Sequence, residues 1–266
     1  ALDNGVNFLD TAACYGISEK LIGMVVSERR SEFVLATKAG HYLPRGDGED
    51  WTYDLITSSI DRSLDRMKTE YVDLVQLHSC SVEILERGDV IRALQDAKAA
   101  GKTRHVGYSG DNESAKWSVT SGLFDTLQTS FSLVDQSARI NLFADVEAND
   151  MGLIVKRPIG NAVWGAVADP RPYEHIPEYT LEYTRRAGVM GEEGPLANDP
   201  NDRIRLALGF TFAHPEVDVT IVGTQRPHHM KSNLEMVSEP LGITYATVSD
   251  LHARWNKFAN GWEQRG

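Results

Sequence analysis

Short apolar runs rich in β-branched residues alternate along the chain with segments of helical periodicity. Seven such runs predict strands at 6–12, 33–38, 72–78, 104–109, 125–131, 152–156 and 219–224. Between them, apolar residues spaced three and four positions apart predict helices at 54–68, 89–100, 141–149, 202–213 and 228–237. This order predicts a parallel sheet, because parallel neighbours need a crossover connection and a helix is the usual one.

The pattern favours a (β/α)₈ TIM barrel of class α/β. The runs LIVK and TIVG are almost continuously apolar, which is typical of strands buried on both faces. Seven strands is one short of eight, and the opening ALDNG is typical of a last helical turn with Gly5 just past its end. We therefore expect that the first strand and most of the first helix lie outside this sequence. An open doubly wound sheet remains an alternative on pattern alone.

The domain organisation predicted for residues 1–266 is a single barrel domain with one long rim loop. Residues 160–202 contain five prolines and many charges, which is typical of a lid or binding loop. Within this loop, a helix around 178–187 is an open possibility. No internal repeat and no low-complexity segment interrupts the strand and helix alternation.

Composition narrows the class of partner. The formal net charge of -11 argues against nucleic acid, which needs a clustered basic face. No apolar run approaches the roughly 20 residues that cross a bilayer, so no membrane partner is expected. The two cysteines, Cys14 and Cys80, indicate reduced thiols and a cytoplasmic location. No metal site is predicted, and the sequence does not indicate an oligomeric state.

Polar side chains stand at or just after the ends of three successive predicted strands: Asp10 and Tyr15, then Lys38, then His78. In a parallel barrel these ends converge on one face. Each residue alone has a structural explanation, as a turn cap, a rim aromatic, a solvated lysine or a core histidine. Together they are better explained by chemistry, because a buried ammonium at Lys38 requires a carboxylate such as Asp10.

The four side chains are suited to reversible carbonyl reduction. An ammonium beside a phenol stabilises the phenolate, so we expect Lys38 to lower the pKa of Tyr15. Such a phenol donates a proton to a carbonyl oxygen in one direction and accepts it in the other. A neutral His78 would orient and polarise that carbonyl oxygen. The hydride has to come from a cofactor such as a nicotinamide.

The sequence resembles the aldo-keto reductases over nearly its whole length. The motifs that carry the resemblance are NFLDTAACYG with SEKLIG, FVLATKAG, YVDLVQLHS, HVGYSG, TLQTSFS, VTIVGT with KSNLE, and RWNKFANGWE. The resemblance implies a (β/α)₈ barrel that uses NADP(H) or NAD(H) without a Rossmann domain. It also implies that the family's catalytic tetrad falls on Asp10, Tyr15, Lys38 and His78.

The resemblance further assigns residues to the cofactor. Ser109 and Gln128 match family positions that hold the nicotinamide amide, whereas Gly110 stands where the family has an asparagine. The other positions assigned are Lys156, Arg157, Gly223, Thr224, Gln225, His229 and Asn233. At the adenosine end, backbone amides at a helix start can hold phosphate.

Cofactor preference is expected to favour NADP(H) over NAD(H). Many NADP-preferring members carry an arginine where His229 stands and a glutamate where Ser232 stands. Arg226, His228 and Lys231 are the cations that could meet a ribose 2′-phosphate here. The expected partner is a small-molecule carbonyl substrate whose identity the sequence does not specify.

Two alternatives to a reductase remain open from the sequence. One is a non-catalytic or sensory barrel that holds a nicotinamide and acts on a partner protein. The other is a Schiff-base aldolase, with Lys156 or Lys38 as the nucleophile.

Overall fold

The computed structural model describes residues 1–43, 48–165 and 178–265. Each of the seven predicted strands is present, and the strands follow one another in the sheet in chain order. They are β1 Phe8–Asp10, β2 Val34–Ala39, β3 Val72–His78, β4 Thr103–Ser109, β5 Thr126–Ser130, β6 Gly152–Lys156 and β7 Val219–Thr220. Every strand pair for which a register is defined is parallel, as the strand and helix alternation predicts.

Helices alternate with the strands. The α-helices of the described residues are α1 Ser18–Val25, α2 Tyr53–Met67, α3 Val82–Arg87, α4 Asp89–Ala99, α5 Asn112–Ser121, α6 Ser137–Asn141, α7 Phe143–Ala148, α8 Glu178–Gly191, α9 Arg203–Phe212, α10 Pro227–Val237 and α11 Tyr245–Phe258. Short 3₁₀ helices span Leu2–Asn4, Ser27–Glu32 and Gly160–Ala162. The first of them ends at Gly5 with φ of 87°, the left-handed cap that the ALDNG pattern predicts.

Side-chain caps mark the starts of three helices. The Thr52 side chain accepts a hydrogen bond from the Leu55 amide at the start of α2, and Asp202 caps α9 in the same way. Thr244 caps α11. These caps satisfy amides that have no partner inside the helix, which is why helices begin after threonine and aspartate at these points.

The structure refines two predictions about helices. The helix predicted at 141–149 is present as α7, and a short helix that was not predicted, α6, precedes it, with Leu142 between the two. The helix left open around 178–187 in the region 160–202 is present as α8, which occupies residues 178–191. The rest of that predicted loop includes residues 166–177, which lie outside the described residues.

The chain divides into two compact units. The first comprises Ala1–Gln128 with Asp145–Leu153, and the second comprises Thr129–Ala144 with Ile154–Gly266. In the first unit, the register of β2 to β4 pairs Lys38 with Gln76 and His78 with Ser109. The carboxyl ends of these parallel strands therefore lie along one edge of the sheet.

The second unit has its own aromatic core. The ring of Phe131 lies 4.9 Å from that of Phe143 and 5.5 Å from that of Phe210, centroid to centroid.

Arg186 of α8 is also fully buried in this unit, and its guanidinium lies 3.4 Å from Asp135 and donates to the Glu263 carbonyl. This buried charge is paired, as burial of a guanidinium requires.

No helix within residues 1–43, 48–165 and 178–265 combines the length and hydropathy needed to cross a membrane. Over the same residues, no cluster of three or more histidine, cysteine or carboxylate side chains has the arrangement of a metal site.

Candidate active site

A buried ion pair joins the ends of β1 and β2. Lys38 Nζ lies 2.5 Å from Asp10 Oδ2 and also donates to the Thr11 carbonyl at 3.0 Å. Parallel pairing of the two strands places both residues at the same edge of the sheet. The ion pair expected from the sequence is therefore present, and it holds the ammonium at a fixed position below the loop that follows β1.

That loop carries Tyr15, and β3 ends at His78. The Tyr15 hydroxyl lies 3.5 Å from His78 Nε2, and the two rings meet edge to face at 5.6 Å. The Lys38 ammonium lies 5.2 Å from the centre of the Tyr15 ring. The four side chains named from the sequence thus form one group, and Tyr15, 48% exposed, is its solvent-facing member.

A shell of amide side chains orients the Asp10 carboxylate. Gln128 Nε2 donates to Asp10 Oδ1 at 2.8 Å, and Gln76 Nε2 approaches the same oxygen at 3.4 Å. Ser109 Oγ donates in turn to Gln128 Oε1 at 3.0 Å. These contacts join side chains of β3, β4 and β5 into one hydrogen-bonded network around Asp10 of β1.

Gln76 is a member of this network that sequence reasoning did not single out. Its side chain is fully buried on β3, between Val75 and Leu77. A buried amide without a partner is costly, so a glutamine between two apolar residues of a buried strand is itself a signal of a polar network. That signal was available in the sequence VDLVQLH.

The loop after β2 supplies an aromatic wall beside His78. The His41 ring lies 5.6 Å from that of His78 and 4.9 Å from that of Trp51. His41 Nδ1 also lies 3.0 Å from Asp50 Oδ2. The Trp51 ring packs against Gly40, where a Cβ atom would lie only 1.9 Å from it, so a glycine is needed at this position.

Two further predicted positions, Lys156 and Arg157, belong to the second unit. Lys156 ends β6, and its carbonyl accepts a hydrogen bond from the Phe131 amide at 3.2 Å. The Arg157 guanidinium lies 3.7 Å from the centre of the Tyr179 ring and donates to the Arg265 carbonyl. The Arg157 side chain is thus held by two contacts within its own unit.

The segment from Gly223 to Asn233 also lies in the second unit and includes the start of α10. Pro227 is the first residue of α10, and the Thr224 hydroxyl accepts a hydrogen bond from the Arg226 amide at 3.1 Å. Gln225 precedes the helix, and His229 and Asn233 lie one turn apart along it. Local desolvation and the nearby His228 and Arg226 lower the pKa of His229.

Comparison with known families decides the identity of this fold. The family model described as the aldo/keto reductase family matches residues 1–247. The chain belongs to the aldo/keto reductase family. It is therefore an NAD(P)H-dependent oxidoreductase with the (β/α)₈ barrel fold that the resemblance implies.

Individual proteins that are similar to the chain support this family assignment. The chain is 27% identical to L-galactose dehydrogenase of Arabidopsis thaliana, over 94% of this chain and 80% of the plant protein. It is also 27% identical to 6-dehydroglucose reductase of Novosphingobium aromaticivorans, over 97% of this chain and 80% of that protein. Among solved structures, an aldo-keto reductase from Bacillus halodurans superposes with a TM-score of 0.79 at 23% identity, over 95% of this chain and 84% of that chain.

The acceptor atoms of Ser109 and Gln128 fit the carboxamide of the nicotinamide that this family uses. The Ser109 hydroxyl donates its proton to Gln128 Oε1. Two lone pairs on the Ser109 oxygen and one on Gln128 Oε1 can therefore still accept hydrogen bonds. A primary carboxamide carries two N–H donors, so it is complementary to these acceptors. No asparagine follows Ser109 directly, and Gly110 occupies that position.

Proposed function

We propose that this aldo/keto reductase reduces an aldehyde or ketone to an alcohol, with Tyr15 as the proton donor. The observation that carries the proposal is the exposed hydroxyl of Tyr15, held 3.5 Å from His78 Nε2 above the buried Lys38 and Asp10 pair. A carbonyl oxygen placed against Tyr15 and His78 would meet a proton donor and a polarising ring together.

The buried ion pair gives Lys38 an electrostatic role. Its ammonium lies beside the Tyr15 ring and favours the phenolate that remains after the proton has left. Asp10 keeps this ammonium charged, and the amides of Gln76 and Gln128 keep Asp10 in place. Proton transfer from Tyr15 is therefore supported by a charge that does not have to move during the reaction.

The bound nicotinamide supplies the hydride. Ser109 and Gln128 are proposed to hold its carboxamide, and Lys156 and Arg157 to lie along the cofactor. The phosphate and adenosine end is assigned to Gly223, Thr224, Gln225, His229 and Asn233. NADP(H) is favoured over NAD(H), because Arg226, His228 and Lys231 cluster at the start of α10.

The contacts of Lys38 favour a reductase over a Schiff-base aldolase that uses this lysine. A Schiff base needs a neutral amine with an available lone pair. Burial alone would favour the neutral amine, but Lys38 faces a carboxylate and donates to a backbone carbonyl, and both contacts favour its protonated form.

Replacing Tyr15 with Phe tests the proposal. Removal of the proton donor should lower kcat by roughly 100-fold or more, with little change in the cofactor dissociation constant. Turnover would be followed as NADPH and NADH oxidation with simple aldehydes, and as the reverse reaction with hexoses, since two relatives are named for reactions of sugars.

Tyr53→Phe is the matched control, because it removes a hydroxyl that donates to Asp96 at 2.7 Å on the surface. It should leave kcat unchanged. Turnover by Tyr15→Phe at the rate of this control would refute the role of Tyr15. Tight cofactor binding by the unmodified protein without turnover on any substrate would favour the sensory alternative.

A further inference from the structure

Cys14 contacts the ring nitrogen of His78 that the proposed reaction does not use. Its Sγ lies 3.4 Å from His78 Nδ1, whereas the other ring nitrogen, Nε2, faces the Tyr15 hydroxyl. The thiol and the phenol belong to adjacent residues, Cys14 and Tyr15. Each contacts one of the two nitrogens of the same imidazole ring.

The backbone around Cys14 holds the thiol in place. The amide of Ala13 donates to the Lys38 carbonyl at 3.1 Å, and the amide of Tyr15 donates to the Ala12 carbonyl at 3.0 Å. Cys14 therefore stands between two anchored residues of the loop after β1. Its partly buried side chain is fixed against His78 by the same loop that presents Tyr15.

A neutral imidazole carries one ring proton, and its position is set by the hydrogen bond that the other nitrogen makes. A thiol donates weakly, but the lone pair of an unprotonated ring nitrogen is a good acceptor. If the Cys14 S–H donates to Nδ1, the ring proton must stand on Nε2. Nε2–H then points to the side on which Tyr15 and the carbonyl oxygen lie.

We infer that Cys14 is a positioning residue, whose thiol holds His78 in the Nε2–H tautomer and in the ring orientation that serves carbonyl polarisation. The inference rests on the proposed function for its catalytic consequence, but the tautomer itself is independent of turnover. It assigns a role to a side chain that the tetrad does not include.

The tautomer is measured by ¹⁵N NMR on histidine-labelled protein saturated with NADPH. In the unmodified protein, the unprotonated nitrogen of His78 should be Nδ1. Cys14→Ser retains a donor and should keep this tautomer, whereas Cys14→Ala should give a mixture of tautomers or a reoriented ring. Protonated Nδ1 in the unmodified protein, or an unchanged His78 signal in Cys14→Ala, would overturn the inference.

Kinetics supply the second measurement. Cys14→Ala should lower kcat roughly tenfold, which is less than the 100-fold or greater loss that follows complete removal of a transition-state donor. Cys14→Ser should recover most of the loss, and cofactor affinity should not change. A kcat equal to that of the unmodified protein in Cys14→Ala would count against the catalytic consequence.

Cys80→Ala is the matched control, since it removes a sulfur atom that is almost fully buried two residues after His78. It should leave the His78 tautomer and kcat unchanged. Failure of the proposed function is recognised separately, because it would appear as absent turnover in the unmodified protein while the tautomer measurement still decides the role of Cys14.

Discussion

The Lys38 ammonium and the Asp10 carboxylate lie 2.5 Å apart, and their side chains are only 1% and 8% exposed. Breaking a buried pair by removing one charge leaves the other without compensation. The same carboxylate also accepts from Gln128 and Gln76, so side chains of three other strands, β2, β3 and β5, depend on it. This pair is therefore both a structural and an electrostatic element of the site.

Asp10→Asn is expected to lower the free energy of unfolding by about 3 kcal/mol, because the Lys38 ammonium would lose its counter-charge. Urea unfolding followed by circular dichroism measures the change. Asp89→Asn is the control, since it breaks an ion pair with Arg92 whose side chains are more than half exposed, and should cost less than about 1 kcal/mol. Equal losses in the two variants would contradict the importance given to burial.

The strands were predictable because burial on both faces leaves a clear trace in the sequence. The tetrad could be named because its members stand at strand ends, where parallel pairing brings them together. The wall of His41 and Trp51 could not be predicted from the sequence pattern, since loop geometry depends on contacts such as the one between Asp50 and His41.

Other elements were not predictable for physical reasons. Helix α1 has an apolar face that is largely exposed, with Met24 at 71% and Val25 at 74%, so burial periodicity does not mark it. The break at Leu142 has no glycine or proline to mark it in the sequence. For α8 the sequence gives only an open possibility at 178–187, because the charges and prolines around it are typical of loops.

Gly40 is a second position where a single substitution should be disruptive. Its φ of 142° is a conformation that side chains rarely adopt, and an added Cβ would overlap the Trp51 ring. Gly40→Ala should cost about 2 kcal/mol or more in urea unfolding and should raise KM for the substrate by displacing the wall.

Gly188→Ala is the matched glycine control, because a Cβ atom at this position of α8 would meet nothing within 4 Å. Alanine is favoured over glycine in a helix by about 1 kcal/mol, so this variant should be as stable as the parent or more stable. A Gly40→Ala variant as stable as Gly188→Ala would show that the Trp51 ring adapts to the added atom.

A buried histidine, His214, and a half-buried one, His252, predict that the second unit is sensitive to acid. His214 Nδ1 donates to the Phe210 carbonyl at 2.8 Å, so its Nε2 accepts from His252 Nε2 at 3.0 Å. Burial lowers the pKa of His214, and burial with the nearby Arg139 lowers the pKa of His252 to about 4. Glu216 opposes part of the effect at His214.

The sign of the pH dependence follows from these directions. Between the ordinary histidine pKa of 6.5 and the folded value of about 4 for His252, the unfolded chain binds more protons than the folded one. Stability should therefore fall as the pH falls through this window, by about 1 to 2 kcal/mol between pH 7 and pH 4.5. His252→Gln keeps a donor for His214 but does not titrate, so its urea midpoint should fall less between pH 7 and pH 4.5 than that of the unmodified protein. An equal fall in the two proteins would assign the pH dependence to other groups.

Cofactor preference can be tested at the start of α10. Arg226 directly precedes Pro227, and its exposed side chain lies at the N-terminus of α10, which is the positive end of the helix dipole. If this arginine meets a ribose 2′-phosphate, Arg226→Ala should raise KM for NADPH roughly tenfold, the loss typical of one charge-assisted contact, and leave KM for NADH unchanged. Arg92→Ala, which removes an exposed arginine of α4, is the control and should alter neither value. An equal rise for both cofactors in Arg226→Ala would place the arginine against a part that NADPH and NADH share, because only the 2′-phosphate distinguishes them.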